Sequence, residues 1–292
     1  MKKHLLIGDR EIGYDCDPFV IAEIGINHNG DLNLAKKLID VAKVAGCDAV
    51  KFQKRTVGVV YTTEELARPR ENPFGPTNGD LKRGLEFGKD KYDEINRYCK
   101  EQGVKWFASP WDEASVDFLD QYNPVAYKVA SACNCDQRLL SRIKEKRRPC
   151  IVSIGMSDDS MVDKIVRFLG EKNLILLQST STYPCKDHEL HLNNISRLKM
   201  KYPRALIGYS GHEVGVYSSI VAAVMGACVI ERHITLDRAM WGSDQAASLE
   251  PKGLELLVRE LKALKIYLGK NTKSILESEL PIASKLRRVN TL

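Results

Sequence analysis

The chain has 292 residues, of which 43% are hydrophobic and 28% are charged. This composition is typical of a globular protein and excludes a disordered or collagen-like one. The formal charge of +6 is small and dispersed, which argues against nucleic acid as a partner and suits a small anionic substrate. The sequence shows no pattern of a membrane span or signal peptide, and its eight cysteines lack paired zinc-binding spacing. We therefore predict a cytoplasmic protein with reduced thiols and no membrane partner.

Short β-branched runs alternate with amphipathic helical stretches along the chain. In the first helical stretch, Leu34, Leu38 and Val41 share one face, and Gly46 marks its end. Eight strand–helix repeats predict an α/β protein, a (β/α)8 TIM barrel. The alternative is an open doubly wound sheet, but residues 22–30, AEIGINHNG, are not a GxGxxG turn. The predicted strands are 19–25, 49–53, 104–109, 126–131, 150–155, 174–180, 205–210 and 228–235, and the helices 32–45, 90–102, 113–122, 137–146, 158–169, 189–201, 216–225 and 253–268.

The remaining segments suggest three parts. Residues 1–18 are predicted to form an N-terminal β-hairpin that caps the barrel floor, 19–270 the catalytic barrel, and 271–292 a polar tail on the outside. Residues 54–89 are predicted to be one long loop after the second strand, and loops of that length are usually functional or mobile.

Polar side chains cluster at the carboxyl ends of the predicted strands, where barrel active sites lie. In AVKFQ, Lys51 and Gln53 share one face, and the apolar Val50 and Phe52 share the other. Lys51 therefore points into the barrel, and Lys128 repeats the situation. We favour an anion site over a buried ion pair with Glu231, because small hydroxyl side chains accompany both lysines. These side chains are Ser109, Ser131, Ser153, Ser179 and Ser210.

His212 and His233 end two neighbouring predicted strands, and Glu23 lies on the strand that closes the barrel beside them. Two imidazoles with open coordination positions suit a divalent metal that also holds water and substrate. A hydrogen-bonded core histidine is the alternative, and the pattern alone leaves the two about even.

Eight segments together resemble the sialic acid (N-acetylneuraminate) synthase family, in family order across residues 20–270. They are AEIGINHNG (22–30), VKFQ (50–53), FASP (107–110), YKVAS (127–131), SIGMS (153–157), STSTYP (179–184), GYSGHEVG (208–215) and ERHITLDRAMWGSDQAASLEP (231–251). The resemblance implies a transferase that condenses phosphoenolpyruvate with N-acetylmannosamine or a related hexose, free or 6-phosphorylated, and releases phosphate.

The resemblance also implies residue roles. His212 and His233 match the ligands of a divalent metal, Mn²⁺ or Mg²⁺, and together with Glu23, the acidic residue at the reacting centre, they form the predicted catalytic set. Gln53, Tyr183 and Asp244 match positions around the sugar. The positions that match the phosphoenolpyruvate site are Lys51, Ser109, Lys128, Ser131, Ser153 and Ser210, and Ser179 joins the predicted substrate-binding set.

Some features depart from the family pattern. GYSGHE stands where the family usually has GYSDHT, so Gly211 and Glu213 replace the expected pair, and Ser181 stands where many members have Asn. We expect the family's C-terminal antifreeze-like domain to be missing, and in the family an arginine of that domain contacts the sugar's N-acetyl group. A deaminated acceptor, mannose or its 6-phosphate, is therefore the main alternative. Basic and amide side chains of 54–89 are predicted substitutes for those contacts: Arg68, Arg70, Asn78, Lys82 and Arg83.

Other functions stay open at this point. One is a related synthase that condenses phosphoenolpyruvate with a pentose or tetrose phosphate, and another is a non-catalytic sugar-acid-binding barrel. Whether the chain forms a homo-oligomer through its barrel surface also stays open.

Overall fold

A computed structural model describes residues 3–289 of the chain. The ends of the predicted hairpin and tail segments, 1–2 and 290–292, lie outside the described residues. The strands are β1 (His4–Ile7), β2 (Arg10–Gly13), β3 (Phe19–Gly25), β4 (Ala49–Lys54), β5 (Pro69–Asn72), β6 (Gly75–Thr77), β7 (Lys105–Pro110), β8 (Tyr127–Val129), β9 (Cys150–Ser153), β10 (Leu174–Ser179), β11 (Leu206–Gly211) and β12 (Val229–His233). The helices are α1 (Leu32–Ala45), α2 (Val57–Val60), α3 (Thr63–Ala67), α4 (Asn78–Leu85), α5 (Lys89–Gln102), α6 (Glu113–Asp120), α7 (Gln137–Glu145), α8 (Asp159–Leu169), α9 (Asn193–Lys201), α10 (Tyr217–Val224), α11 (Pro251–Leu268) and α12 (Leu280–Leu286).

Eight parallel strands form the central sheet. Hydrogen bonds join them in the order β7-β4-β3-β12-β11-β10-β9-β8, and the two ends of that order, β7 and β8, contact each other. The sheet therefore curls into a nearly closed barrel with helices around it, and the predicted (β/α)8 fold is confirmed.

Helix α1 shows how local sequence defines the repeats. Asp31 caps its start, because the carboxylate accepts hydrogen bonds from the backbone N–H groups of Asn33 and Leu34. Gly46 ends it with a φ of 80°, a left-handed conformation that suits glycine. Leu38 and Ala42 are fully buried on the face toward the barrel. The helix has the predicted boundaries.

The N-terminal hairpin closes one end of the barrel. Strand β1 pairs antiparallel with β2, with Ile7 opposite Arg10. Leu5, Ile7 and Ile12 belong to one buried apolar cluster with Phe19 and Phe107, which lie near the amino ends of β3 and β7. The hairpin therefore covers the floor, and the polar strand ends lie at the opposite mouth. The three-part division of the chain stays a prediction.

The segment 54–89 is the main correction to the predicted elements. It is a folded excursion and not one long loop: α2 and α3 lead into the antiparallel pair β5–β6, which is followed by α4. Thr77 and Asp80 cap α4 reciprocally. These elements have only three to eight residues, so periodicity did not reveal them.

Smaller corrections concern element ends and the tail. Strand β8 has three residues and α9 begins at Asn193, so both are shorter than predicted. The tail was predicted to be polar, but Leu276, Leu280 and Leu286 are each more than half exposed. Within residues 3–289, no helix is long and apolar enough to cross a membrane, and all eight cysteines are free thiols.

Candidate active site

Glu23 and Lys51 form the centre of the mouth. The strand register places Glu23 of β3 beside Lys51 of β4. The Lys51 ammonium lies 2.7 Å from Glu23 Oε2 and donates a hydrogen bond to Ser109 Oγ at 3.0 Å. Gln53 Nε2 donates to Glu23 Oε1 at 2.9 Å. Glu23 is therefore held from two sides, by an ammonium and an amide.

Lys128 of β8 lies near that pair, with β7 between its strand and β4. Its ammonium donates to Ser153 Oγ at 2.7 Å and to the Val129 carbonyl at 3.0 Å. Glu231 Oε1 lies between the two lysines, 3.7 Å from Lys128 and 3.8 Å from Lys51. Ser210 also donates to this carboxylate oxygen, at 3.2 Å. The carboxylate weighed as an alternative to anion binding is thus present, but it lies beyond hydrogen-bonding distance of Lys128.

A cluster of serine hydroxyls surrounds Gly155, just after β9. Ser131 Oγ and Ser179 Oγ are 3.4 Å apart, and Ser179 Oγ accepts a hydrogen bond from the Gly155 N–H at 3.0 Å. Ser181 Oγ is buried and has no hydrogen-bond partner among the described residues. Hydroxyls with unused donors next to two lysines are what a phosphate or carboxylate requires.

His212 and His233 face each other, with ring centroids 5.5 Å apart. His212 Nδ1 donates to the Thr180 carbonyl at 2.6 Å, and this bond leaves the Nε2 lone pair available. His233 Nδ1 is buried without a hydrogen-bond partner in the described structure and lies 3.7 Å from Asp244 Oδ2. Two available imidazoles and a nearby carboxylate fit a divalent metal.

Tyr183 and Asp244 lie at the outer edge of the imidazole pair. The Tyr183 ring is 4.2 Å from the His212 ring and 5.6 Å from the His233 ring, measured between centroids. Tyr183 is 44% exposed, whereas both histidines are buried. Its position suits contact with a ligand that enters from solvent. The thirteen predicted site residues therefore surround a single mouth, and their individual roles stay predictions.

Burial controls the charge of this site. It raises the pKa of Glu23 to about 7, against the opposing effect of Lys51. It lowers the pKa of His212 to about 4, with a smaller contribution from His233, so this imidazole is neutral and can ligate a metal near pH 7. Burial also lowers the pKa of Lys128 to about 8.

Other polar residues near the mouth are structural. His28 is stacked on Phe87 with centroids 3.9 Å apart, and burial lowers its pKa to about 3. Glu213 accepts a hydrogen bond from Arg232 at 2.9 Å and one from the Tyr209 hydroxyl at 2.8 Å. The acidic residue that departs from the family pattern thus neutralises a buried guanidinium instead of facing the imidazoles.

Two residues at this end were missed from the sequence. Gly155 leaves room for the hydroxyl cluster, because an added Cβ would lie 2.8 Å from Ser131 Oγ and 3.0 Å from Ser179 Oγ. Arg55 is buried, donates to Gln53 Oε1, and stacks on Trp111 at 4.3 Å. The sequence signal for Gly155 was a glycine at the carboxyl end of a predicted barrel strand, directly after Ser153 and Ile154. No signal distinguished Arg55 from a solvated loop arginine.

Comparison with known proteins decides the family. The sequence profile of the NeuB family matches residues 38–273, which is most of the chain. The protein belongs to the NeuB family. This assignment confirms the resemblance to sialic acid synthases that the eight sequence segments indicated.

Members of the family resemble this NeuB protein over nearly its whole length. The human N-acetylneuraminate-9-phosphate synthase is 42% identical over 95% of this chain and 78% of its own. The N,N'-diacetyllegionaminic acid synthase of Legionella pneumophila is 34% identical over 98% of this chain and 83% of its own. The crystal structure of the N-acetylneuraminic acid synthetase from Leptospira borgpetersenii superposes with a TM-score of 0.85, at 30% identity and 99% coverage of both chains.

Proposed function

We propose that this protein condenses phosphoenolpyruvate with N-acetylmannosamine or a related hexose, free or 6-phosphorylated, and releases phosphate. The observation that carries the proposal is the placement of two buried lysines and a serine cluster beside two neutral imidazoles in one mouth. The names of the relatives support a nonulosonic acid as the product.

The lysines and serines supply the anion site. Lys128 has no carboxylate within hydrogen-bonding distance, because its ammonium donates to Ser153 Oγ and to a backbone carbonyl. Glu231 at 3.7 Å offsets part of its charge, but no carboxylate oxygen forms a hydrogen bond with it, so the ammonium can still bind phosphoenolpyruvate, whose phosphate and carboxylate both need cationic and hydroxyl partners. Since these groups lie on strand ends, much of their contribution is positioning of the reacting carbon.

His212 and His233 would hold the divalent metal, Mn²⁺ or Mg²⁺, which when bound polarises a carbonyl oxygen and stabilises developing negative charge. Each histidine offers a nitrogen for this role, because the Thr180 carbonyl binds His212 Nδ1 and leaves Nε2 available, and His233 Nδ1 is unpartnered in the described structure. Tyr183 and Asp244 border the same space and would contact the acceptor sugar.

Glu23 is the proposed acid–base group. A bond forms between C3 of phosphoenolpyruvate and the acceptor's aldehyde carbon, water adds at C2, and the C2–oxygen bond to phosphate breaks. Glu23 lies between Lys51 and Gln53, where it can exchange a proton with the aldehyde oxygen or with the attacking water. Gln53 and Lys51 keep its two oxygens in fixed directions.

The test is phosphate release from phosphoenolpyruvate with N-acetylmannosamine, mannose and their 6-phosphates, followed by mass analysis of the product. We expect a nine-carbon 2-keto acid from at least one acceptor, and a loss of about a hundredfold or more in kcat for Glu23→Gln. A folded Glu23→Gln variant with wild-type turnover would remove Glu23 from this role. Phosphoenolpyruvate binding without turnover of any acceptor, pentose and tetrose phosphates included, would indicate a non-catalytic barrel.

A further inference from the structure

A second basic region lies at the rim of the mouth, outside the site described above. It is a cavity of about 360 Å³ between the folded excursion and the loop after β12. Lys82 and Arg70 are the cations on its wall, and Glu71 is the carboxylate. The remaining lining residues are Ile26, Asn29, Leu81, Leu85, Trp241, Gly242 and Ser243.

The cations of this region are not neutralised by ion pairs. Within residues 3–289, no carboxylate oxygen lies within 4.0 Å of the Lys82 ammonium or of the guanidinium groups of Arg70 and the nearby Arg55. Lys82 lies over the Tyr61 ring at 4.8 Å, and Arg70 donates to Asn78 Oδ1 at 3.3 Å. Arg55 Nε is buried and unpartnered in the described structure. Like charges are thus gathered without a direct ion pair, and a bound anion would lower the repulsion between them.

The sequence-predicted basic set of the excursion divides in the structure. Lys82 and Arg70 reach the cavity, and Asn78 orients Arg70. Arg83 is exposed and pairs with Asp80 at 3.2 Å, so its charge is compensated within helix α4. Arg68 and Arg70 are both exposed, but only Arg70 lines the cavity. The excursion therefore offers the cavity two cations and not four.

The loop that lines the cavity also reaches the imidazole pair. Gly242 and Ser243 line the cavity, and the next residue, Asp244, lies 3.7 Å from His233 Nδ1. Burial lowers the pKa of Lys82, the charges of Arg55 and Arg70 lower it further, and those of Glu65 and Asp244 oppose this effect. A sugar whose aldehyde end lies at the imidazoles would therefore direct its far end toward Lys82 and Arg70.

We propose that this cavity binds the terminal phosphate of the acceptor, so that the substrate is a hexose 6-phosphate and not the free sugar. The proposal rests on the proposed function for the direction of the sugar. Phosphate binding itself does not depend on the proposed function. Lys82 and Arg70 can supply charge-assisted hydrogen bonds to a dianion regardless of which reaction the protein catalyses.

The experiment compares mannose with mannose 6-phosphate, and N-acetylmannosamine with its 6-phosphate, by calorimetric binding and by turnover. The variants are Lys82→Met and Arg70→Gln, with Arg83→Met as the matched control on the same helix. We expect each test variant to weaken binding of the 6-phosphates and raise their KM about tenfold or more. The KM for phosphoenolpyruvate and the unfolding temperature should not change, and Arg83→Met should resemble the wild type.

The outcomes separate the two proposals. Tighter binding of sugar 6-phosphates that depends on Lys82 but leads to no turnover would retain the phosphate subsite and overturn the proposed function. Turnover of free sugars at least as efficient as that of their 6-phosphates would retain the function and overturn the subsite. Full activity toward 6-phosphates in the Lys82→Met and Arg70→Gln double variant would also overturn it.

Discussion

Gly155 illustrates how one missing side chain shapes a site. An added Cβ would meet Ser181, Ser131 and Ser179 hydroxyls at once, although the backbone itself would accept alanine. We expect Gly155→Ala to raise the KM for phosphoenolpyruvate about tenfold, because the hydroxyls must shift, with little change in unfolding temperature. Steady-state kinetics and thermal unfolding measure the two effects.

The control for this change is Gly253→Ala on α11. There an added Cβ meets only ordinary contacts, 3.8 Å and 3.9 Å from Leu249, and alanine suits a helix interior better than glycine does. We expect unchanged kinetics and a slightly higher stability. A Gly155→Ala enzyme with wild-type KM would show that the serine cluster does not bind substrate.

The charge of Lys128 predicts a pH dependence. Burial lowers its pKa to about 8, since the charged ammonium loses more hydration than the neutral amine. An anion binds the protonated form, so kcat/KM for phosphoenolpyruvate should fall as the pH rises through about 8. Lys128→Arg keeps its charge, so the fall that Lys128 causes near pH 8 should be absent from its profile.

A second measurement, made on the wild type, tests this pH prediction if the Lys128→Arg variant does not fold or does not bind phosphoenolpyruvate. Calorimetry of phosphoenolpyruvate binding to the wild type, in buffers of different ionisation enthalpy, should detect proton uptake above pH about 8. Binding that takes up no proton there, together with a flat kcat/KM profile, would contradict the assignment.

The sequence predicted side-chain direction well but not side-chain partners. Period-two alternation placed Lys51 and Gln53 inside the barrel, and both lie at the mouth. The partners of Gln53 are Glu23 and Arg55, and Arg55 follows the end of β4, where alternation no longer applies. Glu213 was noted only as a departure from the family pattern, because its pairing with Arg232 depends on contacts between β12 and the loop after β11.

At the scale of elements, the hairpin β1–β2 predicts a difference between the two faces of one strand. Ile7 is fully buried in the floor cluster, while Leu6 is 60% exposed. We expect Ile7→Ala to lower the free energy of unfolding by about 2–5 kcal/mol through loss of burial and a residual cavity. Leu6→Ala should change it by less than about 0.5 kcal/mol.

Urea unfolding checks this prediction, and phosphoenolpyruvate kinetics provide a second readout. The floor lies at the end opposite the site, so the KM of both variants should equal that of the wild type under conditions where they are folded. Equal destabilisation by the two substitutions would contradict the packing of the hairpin against the barrel.

Elements with long periodic patterns were predicted within a few residues, whereas the excursion between β4 and α5 was not. Helix α1 has both a cap and four buried residues on one face. Strand β5 and helix α4 instead depend on Thr77 and Asp80, which cap one helix, and on Pro69 at a strand start. Such short elements are stabilised by their neighbours and leave little signal in the sequence.

For the whole molecule, metal binding should couple to stability. A ligand that binds the native state alone stabilises it by about 2.7 kcal/mol at a hundredfold excess over Kd. We expect Mn²⁺ to raise the unfolding temperature of the wild type and not of His212→Ala. The exposed His188, with 76% of its side chain accessible, is the control, and His188→Ala should respond as the wild type does.

This measurement does not depend on turnover. A chelator should reverse the stabilisation and abolish activity, and added Mn²⁺ or Mg²⁺ should restore both. Equal shifts for the wild type and His212→Ala would place the metal elsewhere, and activity that survives chelation would remove the metal from the proposal.

At this scale the barrel was predictable, because eight strand–helix repeats are typical of a closed barrel. Closure brings the carboxyl ends of all eight strands, and residues distant in sequence, to one end. The choice of acceptor was not predictable in the same way. In our proposal it depends on how Lys82 and Arg70 of the excursion approach the loop that carries Ser243, and no periodic pattern encodes the relative placement of two loops.

The hairpin β1–β2 covers the floor of the barrel, so in the described structure the site opens at the mouth formed by the carboxyl ends of the strands. In the proposed function, phosphoenolpyruvate must pass the rim to reach Lys51 and Lys128 before the sugar binds at that rim. We therefore expect ordered binding, with phosphoenolpyruvate first. A sugar that binds first would block access to the lysines. Excess acceptor should therefore inhibit the enzyme at low concentrations of phosphoenolpyruvate.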